Sequence, residues 1–378
     1  MSKLFISDQA AFGLTEDIAN TFCESGFSVT IIAGTSLPRA NDKINQIKIT
    51  RYDKSSTLKR IFTWLKGTWE LFRIFRKNPD AELFIISNPP VAPLLPLFLK
   101  NKFSLLLWDI WPDALVHTGT LSENNFIVKF WAWLNKKSFK KAEKVFTISN
   151  GLTDALARYV SRERICVVPL WADTSLLKPF PRENNPFLRE HKLENKFVVM
   201  YSGNIGNTHP VEKIVDIANA LKSHSDIAFV IIGDGGKRAV VEQRIRETGA
   251  QNVLLLPFQS RETFPHALAA ANVSVITLEE AASQVSVPSK TYSSLAVGSP
   301  LLCLAGKNSE LANLIREHNV GEIFVPAETD AAAQWILSLK NDSEKQRELS
   351  QNALRTAQLF TPANAKKFVA NFGKSQYN

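Results

Sequence analysis

"KFVVMYSGNIG", residues 196–206, is the stretch on which the reading of the fold turns. Phe197–Tyr201 is an unbroken apolar run of strand length. It gives way to the turn Gly203-Asn204-Ile205-Gly206 and then to the helical pattern "VEKIVDIANAL" at 211–221. Strand, glycine turn and helix in that order form a βα unit of a parallel sheet. Small residues in such a turn either let a backbone approach a pyrophosphate or serve tight packing alone. Downstream, "IAFVIIGDGG" (227–236) repeats the strand and turn, and "VLLLPF", "VSVITL", "PLLCLAG" and "GEIFVP" are further strands. Helices from Ala331 and Glu344 finish this half.

Upstream the same grammar appears once more. "KLFISD" (3–8), "FSVTIIAG" (27–34), "AELFIISN" (81–88), "FSLLLWD" (103–109), "KVFTISN" (144–150) and "RICVVPLWAD" (164–173) are buried strands, several of them opening into helices. The fold class read from this is α/β, two doubly wound Rossmann-like domains facing a cleft. The first domain spans 1–175. Residues 176–195, with Pro179, Pro181 and Pro186 among charges, are a linker. The second domain spans 196–356, and a C-terminal helix at 357–378 packs back on the first domain. In such sheets ligands bind beyond the carboxyl ends of the strands.

Composition narrows the function classes. A chain of 378 residues that is 45% hydrophobic and 21% charged holds real cores and is not a disordered class. Cys23, Cys166 and Cys303 have neither metal-ligand nor disulfide-framework spacing, which fits a reducing compartment. The apolar run at the N-terminus is too short for a signal peptide, and the longest uncharged run, Leu83–Leu99, carries four prolines, which argues against a spanning helix. The expected location is cytoplasmic. The net charge of +9 is uneven: residues 1–180 hold 24 Lys and Arg against 16 Asp and Glu, a net +8, together with seven of the eight tryptophans. That half suits an anionic, partly greasy partner, either nucleic acid or a membrane face. No nucleic-acid module is present, which favours the membrane.

The candidate chemistry centres on "VPSKTYSSLAVGSP" at 287–300. Pro288 and Ser289 form a loop and a helix begins near Lys290, placing a cation and free backbone N–H groups where a phosphate can sit. Gly233-Asp234-Gly235-Gly236 is a second strand-end turn, either a phosphate approach or a plain turn. Pro257-Phe258 closes another strand, either beside a base or in the core.

The order of these pieces within one half resembles the C-terminal domain of GT-B glycosyltransferases, family 4 in particular, and the resemblance runs over nearly the whole chain. "LLLWDIWPDALVHTG" (105–119) looks like the strand and loop that line the acceptor cleft in bacterial members building surface polysaccharides. "KVFTISNGLTDAL" looks like the segment before the linker, and "VVPLWAD" (167–173) like the interdomain motif. The resemblance implies that Gly203, Asn204 and Gly206 face the donor diphosphate. Lys290 contacts a phosphate as a catalytic residue, while Gly233, Asp234, Gly235 and Phe258 surround the base. Lys213, Pro288, Ser289 and Ser293 complete the donor site. Asp109 is catalytic near the transferred sugar, and Asp8, Gly13 and His117 lie on the acceptor side. It also implies a metal-independent enzyme without cofactor, in which cations and helix N-termini steady the leaving diphosphate.

The chain departs from the family pattern in two places. The paired glutamates of the family fall at Val285 and Ser293, neither acidic, with Glu279 and Glu280 upstream as substitutes. Asn204 and His209 replace the usual Arg and Lys.

"KSSTLKRIFTWLKGTWELFRIFRK" (54–77) has apolar residues at helical spacing and seven Lys or Arg against Glu70 alone. It reads as an interfacial helix, with Lys59, Arg60, Trp64, Lys66, Trp69 and Arg73 facing the membrane. "KFWAWLNKKSFKKAEK" (129–144) has the same character. Alternatively, both are ordinary helices with a solvated basic face. The expected activity is retaining transfer of a sugar, UDP-linked, from a nucleotide sugar to a lipid-linked glycan at the cytoplasmic face of the inner membrane. A non-catalytic scaffold of the same fold is the alternative, and no nucleic-acid partner is expected.

Overall fold

The computed structural model describes residues 2–53, 55–117, 119–280 and 287–372, with the side chain of His117 outside that description. The chain divides into two compact units, 1–170 with 362–378, and 171–361.

The first unit is built on a seven-stranded parallel sheet: β1 Lys3–Asp8, β2 Ser28–Ala33, β3 Asn45–Lys48, β4 Glu82–Ile86, β5 Phe103–Leu107, β6 Val145–Thr147 and β7 Ile165–Val167, in the order β3-β2-β1-β4-β5-β6-β7. β1 pairs with β2 through Leu4 and Val29, and with β4 through Ile6 and Phe84. Helices cover both faces of a parallel sheet, so its strands read as continuous apolar runs, and Leu83–Ile86 are completely buried. The chain order reverses between β1 and β4. The loops leaving these two strands therefore diverge and open a crevice at their carboxyl ends.

The second unit repeats the plan with β8 Phe197–Ser202, β9 Ile227–Ile232, β10 Val253–Leu256, β11 Val273–Thr277, β12 Leu301–Leu304 and β13 Gly321–Phe324, ordered β10-β9-β8-β11-β12-β13 and parallel throughout. Here the reversal falls between β8 and β11. The Gly203–Gly206 loop leaves β8 on one side of it, and β11 ends on the other, with the helix Ser289–Ala296 following in the chain.

Residues 176–195 are not a linker but part of the second unit. Phe187 and Leu188, on the short helix Pro186–Glu190, are completely buried in its core beside Val198, Met200 and Val230. Arg182 ties the segment down through the carbonyls of Ala270 and Lys196. The first stretch of the first unit ends at Leu170, and the second unit runs on to Thr361, beyond the helix Ser343–Ala357. The closing helix Lys366–Asn371 belongs to the first unit, where Phe368 packs on Phe84 and Phe146.

Candidate active site

The loop after β8 and the loop after β9 are locked together by backbone hydrogen bonds. Ile205 N–H donates to Asp234 O at 2.9 Å, Lys237 N–H to Ile205 O at 2.9 Å, and Gly203 N–H to Ile232 O at 2.9 Å. This closeness requires glycine. A Cβ on Gly233 would stand 1.9 Å from the carbonyl oxygen of Gly203, and the φ of +153° at Gly233 is one that side chains disfavour. Asp234 Oδ1 accepts from Gly235 N–H, and Arg238 pins the second turn through the carbonyl of Gly233 at 2.6 Å.

Lys290 enters from the first turn of the helix Ser289–Ala296 and lies across Gly203; a Cβ there would meet its Cε and Nζ at 2.9 Å. Its Nζ donates to Tyr201 Oη at 2.6 Å and sits 4.0 Å above the Tyr201 ring. Tyr201, itself completely buried, donates onward to the carbonyl of Asn204 at 2.7 Å. Lys290 is thus held by a hydroxyl and a ring face, and burial lowers its pKa to about 7. An anion arriving beside it raises that pKa again and restores the full charge.

His209 stands nearby, its Nδ1–H donating to the carbonyl of Thr277 at 2.6 Å. Burial, and after it the charges of Lys290 and Lys237, push its pKa down to about 4, so the ring is neutral at physiological pH. Lys237, not singled out in the sequence, completes this end of the sheet. It bonds Glu212 at 3.0 Å and reaches toward Glu279 at 3.9 Å. Its one signal in the sequence is its place directly after the GDGG turn. Tyr201 carried none, because its run reads as core.

The other expected donor residues fall out unevenly. Gly203, Asn204, Gly206, Gly233, Asp234 and Gly235 come together in the interlocked loops, and Pro288 and Ser289 open the helix that carries Lys290. Ser293 is half-buried on that helix, and Phe258 is exposed two residues beyond Leu256, whose carbonyl accepts from Gly233 N–H. Lys213 is engaged on its own helix. Its Nζ pairs with Asp216 at 3.2 Å, a carboxylate shared with Arg244. Val285 lies outside the described residues. Among the described residues no group of three or more His, Cys, Asp or Glu is placed to hold a metal ion.

In the first unit Asp8, at the carboxyl end of β1, is completely buried. It accepts from Thr15 Oγ1 at 2.7 Å and from Ala10 N–H at 3.2 Å, yet burial outweighs both and raises its pKa to about 6. Gly13 does not open onto free space. The Arg39 guanidinium fills it, bonded to Gly13 O at 3.1 Å and to Glu16 at 2.9 Å. Asp109 follows β5 and is exposed, while the protein surrounding it holds its pKa above the usual carboxylate range. His117 ends the short helix Asp113–His117, and its side chain lies outside the description.

The amphipathic segment is the helix Thr57–Arg76. Thr63, Gly67, Leu71 and Phe75 are its buried face, with Gly67 leaving room for the buried Gln9. Leu58 (82% exposed), Phe62 (64%), Leu65 and Trp69 face solvent, with Lys59, Lys66 and Arg73 among them. Arg60 and Trp64 do not join that outward stripe. They are half-buried on its flank, against Tyr52 and Trp111. The helix Phe126–Lys141 likewise exposes Phe126, Ile127, Phe130 and Trp133. Among the described residues no helix is long and apolar enough to cross a membrane.

Comparisons with known proteins agree with this architecture. The family described as "Glycosyl transferases group 1" matches residues 184–356. The chain is 27% identical over 329 residues to the probable glycosyltransferase WbjE of Pseudomonas aeruginosa, covering 81% of this chain and 78% of that protein. It is 24% identical over 273 residues to the putative colanic acid biosynthesis glycosyl transferase WcaI of Escherichia coli K12, covering 68% and 66%. Among solved structures, Anabaena HepE in complex with UDP-glucose superposes with a TM-score of 0.74 at 15% identity over 98% of both chains. WaaG, a glycosyltransferase involved in lipopolysaccharide biosynthesis, does so at 0.72 and 15% over 98% of this chain and 100% of that one. Residues 184–356 therefore match a glycosyl transferases group 1 domain, and the chain has the GT-B fold.

Proposed function

We propose that the protein transfers a sugar, with retention, from a UDP-linked donor to a lipid-linked glycan in bacterial surface polysaccharide synthesis. It would work without a metal ion, at the cytoplasmic face of the inner membrane. The observation that carries this reading is the clasp of Lys290 over Gly203, at the point where the order of the second sheet reverses. It sets a cation and a glycine-lined backbone where a diphosphate leaving group gathers charge. Front-side attack needs no protein nucleophile: the leaving phosphate takes the acceptor proton, Lys290 steadies the charge, and Asp109 orients hydroxyls. The relatives WbjE and WcaI are named for glycosyl transfer, and HepE was solved with UDP-glucose, which supports a UDP donor here. The outward apolar residues of the helix Thr57–Arg76, interleaved with Lys59, Lys66 and Arg73, support an interfacial position.

A second reading is a scaffold that binds donor without turnover. It is favoured by Ser293, on the Lys290 helix, standing where the family carries an acid. One experiment separates the two. The purified chain is given UDP-, GDP- and ADP-sugars with a membrane extract as acceptor source, with and without EDTA, and nucleotide release is followed beside thermal shifts. EDTA-resistant UDP release supports the transferase. A UDP shift without release supports the scaffold, and neither signal removes both.

A further inference from the structure

A group of aromatic rings in the first unit is used by nothing described so far. The Tyr52 ring stacks on Trp64 at 5.7 Å with an interplanar angle of 6°. Trp64 meets Trp111 edge-on at 5.5 Å, and Trp111 stacks on Trp131 at 6.4 Å. The guanidinium of Arg60 lies 5.5 Å from the Trp64 ring centre. Four separate segments supply these side chains: the chain after β3, the flank of the helix Thr57–Arg76, the chain after β5 and the helix Phe126–Lys141. Two of the four leave the carboxyl ends of strands, where ligands of such sheets bind. Asn135, one turn after Trp131, holds the Trp111 carbonyl and so fixes the third ring.

The rings are half-buried, and the Arg60 side chain hydrogen-bonds the Tyr52 hydroxyl, yet three polar atoms of the cluster are not satisfied. Trp64 Nε1 and Trp131 Nε1 are buried without an acceptor, as is Arg60 Nε. Buried tryptophans normally find a partner for that N–H, so two orphans in one cluster call for an explanation. The unmet atoms are all donors. A ligand of hydroxyl groups alone asks for acceptors as well, whereas phosphate oxygens only accept. Beside these donors stand broad apolar ring faces. On the same helix, one flank away, Leu58, Phe62, Leu65 and Trp69 are exposed.

We propose that Tyr52, Trp64, Trp111, Trp131 and Arg60 form the binding site for the junction between a lipid chain and its terminal diphosphate, the neck of an amphiphilic acceptor. The rings pack on the first units of the chain. Arg60 and the indole N–H groups take the phosphate oxygens as the rings part. The proposal rests on the reading that the acceptor is lipid-linked, and it gives the lipid end of that acceptor a site of its own.

The test titrates the full chain with farnesyl diphosphate, farnesol and inorganic diphosphate in turn, below micelle-forming concentrations, reading intrinsic tryptophan fluorescence. Farnesyl diphosphate is expected to give a saturable change at a concentration about tenfold lower than either fragment. Arg60→Gln, and Trp64→Phe, which keeps an aromatic ring and deletes the N–H, are each expected to weaken it about fivefold. UDP binding by the second unit, read as a thermal shift, should stay unchanged. The proposal is overturned if either fragment binds as tightly as the whole, or if both variants bind farnesyl diphosphate like the parent. A chain that binds farnesyl diphosphate but never turns over a nucleotide sugar overturns only the transferase reading. One that turns over a nucleotide sugar and ignores farnesyl diphosphate overturns only this site.

Discussion

Lys290 Nζ stands 2.6 Å from Tyr201 Oη, and that hydroxyl donates to the carbonyl of Asn204 at 2.7 Å. One tyrosine therefore couples the cation to the glycine loop. Removing the cation and removing the coupling should have different signatures. Lys290→Ala is expected to lower turnover by about two to three orders of magnitude with the melting temperature little changed, because it deletes charge stabilisation at the leaving group. Tyr201→Phe keeps the ring under the ammonium and loses only the hydroxyl. It should raise the donor KM by roughly tenfold and change kcat less. Steady-state kinetics beside thermal melts read both, and near-normal turnover in Lys290→Ala removes Lys290 from the mechanism.

The buried state of Lys290 also sets a pH dependence. Its pKa in the empty site is lowered to about 7, and a bound diphosphate draws it back up, so binding takes up a proton. Between the free and the bound pKa, affinity for UDP should fall by about tenfold per pH unit as the pH rises. His209, held near 4, stays neutral across this range and adds no slope. Calorimetric titration of UDP at several pH values between 6.5 and 9 reads the slope, and Lys290→Met should flatten it. A flat profile in the parent chain means that Lys290 does not meet the phosphate.

Gly233 and Gly249 both have positive φ, but only one faces a neighbour. A Cβ at Gly233 would stand 1.9 Å from Gly203 O, while nothing lies within 4 Å of one at Gly249. Gly233→Ala is expected to cost about 2–4 kcal/mol and to abolish UDP binding by forcing the two loops apart. Gly249→Ala should cost roughly 1 kcal/mol and leave binding intact. Urea unfolding with UDP thermal shifts distinguishes them, and equal costs at the two positions refute the interlocked-loop account.

Much of this architecture is written locally, and the rest is not. β1, β4 and β9 are continuous apolar runs because a parallel sheet buries both faces of its strands, so they are visible in the chain. β3, "NQIK", is a short and largely exposed edge strand and left no such trace. The prolines of 176–195 suggested a linker, but the buried pair Phe187–Leu188 makes it part of the core. The glycine turns were legible because only glycine permits that approach. The Lys290–Tyr201 bond was not, since its partners are 89 positions apart on different elements. Periodicity marked the helix Thr57–Arg76 as amphipathic, yet Arg60 and Trp64 sit on its flank. A two-sided hydrophobic pattern cannot reveal a third face.

Asp8 offers a test of burial against function. Its pKa is raised from 3.8 to about 6, so the neutral acid is favoured in the fold. The stabilising contribution of that proton is complete below about pH 4 and lost as the pH rises through 6. Asp8→Asn keeps an oxygen for Thr15 and carries no charge. It should therefore be more stable than the parent at pH 8 by up to about 3 kcal/mol, with the advantage vanishing near pH 4. Melts across that range decide it. If the variant is less stable at pH 8, the carboxylate has a partner that burial does not reveal.

The closing segment makes a sharper claim about the first unit. Phe368 is 1% exposed and touches the rings of Phe84 and Phe146, on β4 and β6, while Phe372 packs on Phe22, Phe27 and Phe84. The core of residues 1–170 is thus completed by a chain end that arrives only after the whole second unit. Phe368→Ala should cost the first unit about 3–5 kcal/mol through the cavity it leaves. The second unit has its own core and should keep its UDP-dependent stabilisation. Scanning calorimetry of the variant should show a transition moved to lower temperature that UDP does not affect, beside one that UDP still raises. A single transition, shifted as a whole and still fully responsive to UDP, shows instead that the two units unfold as one cooperative body, with Phe368 stabilising both.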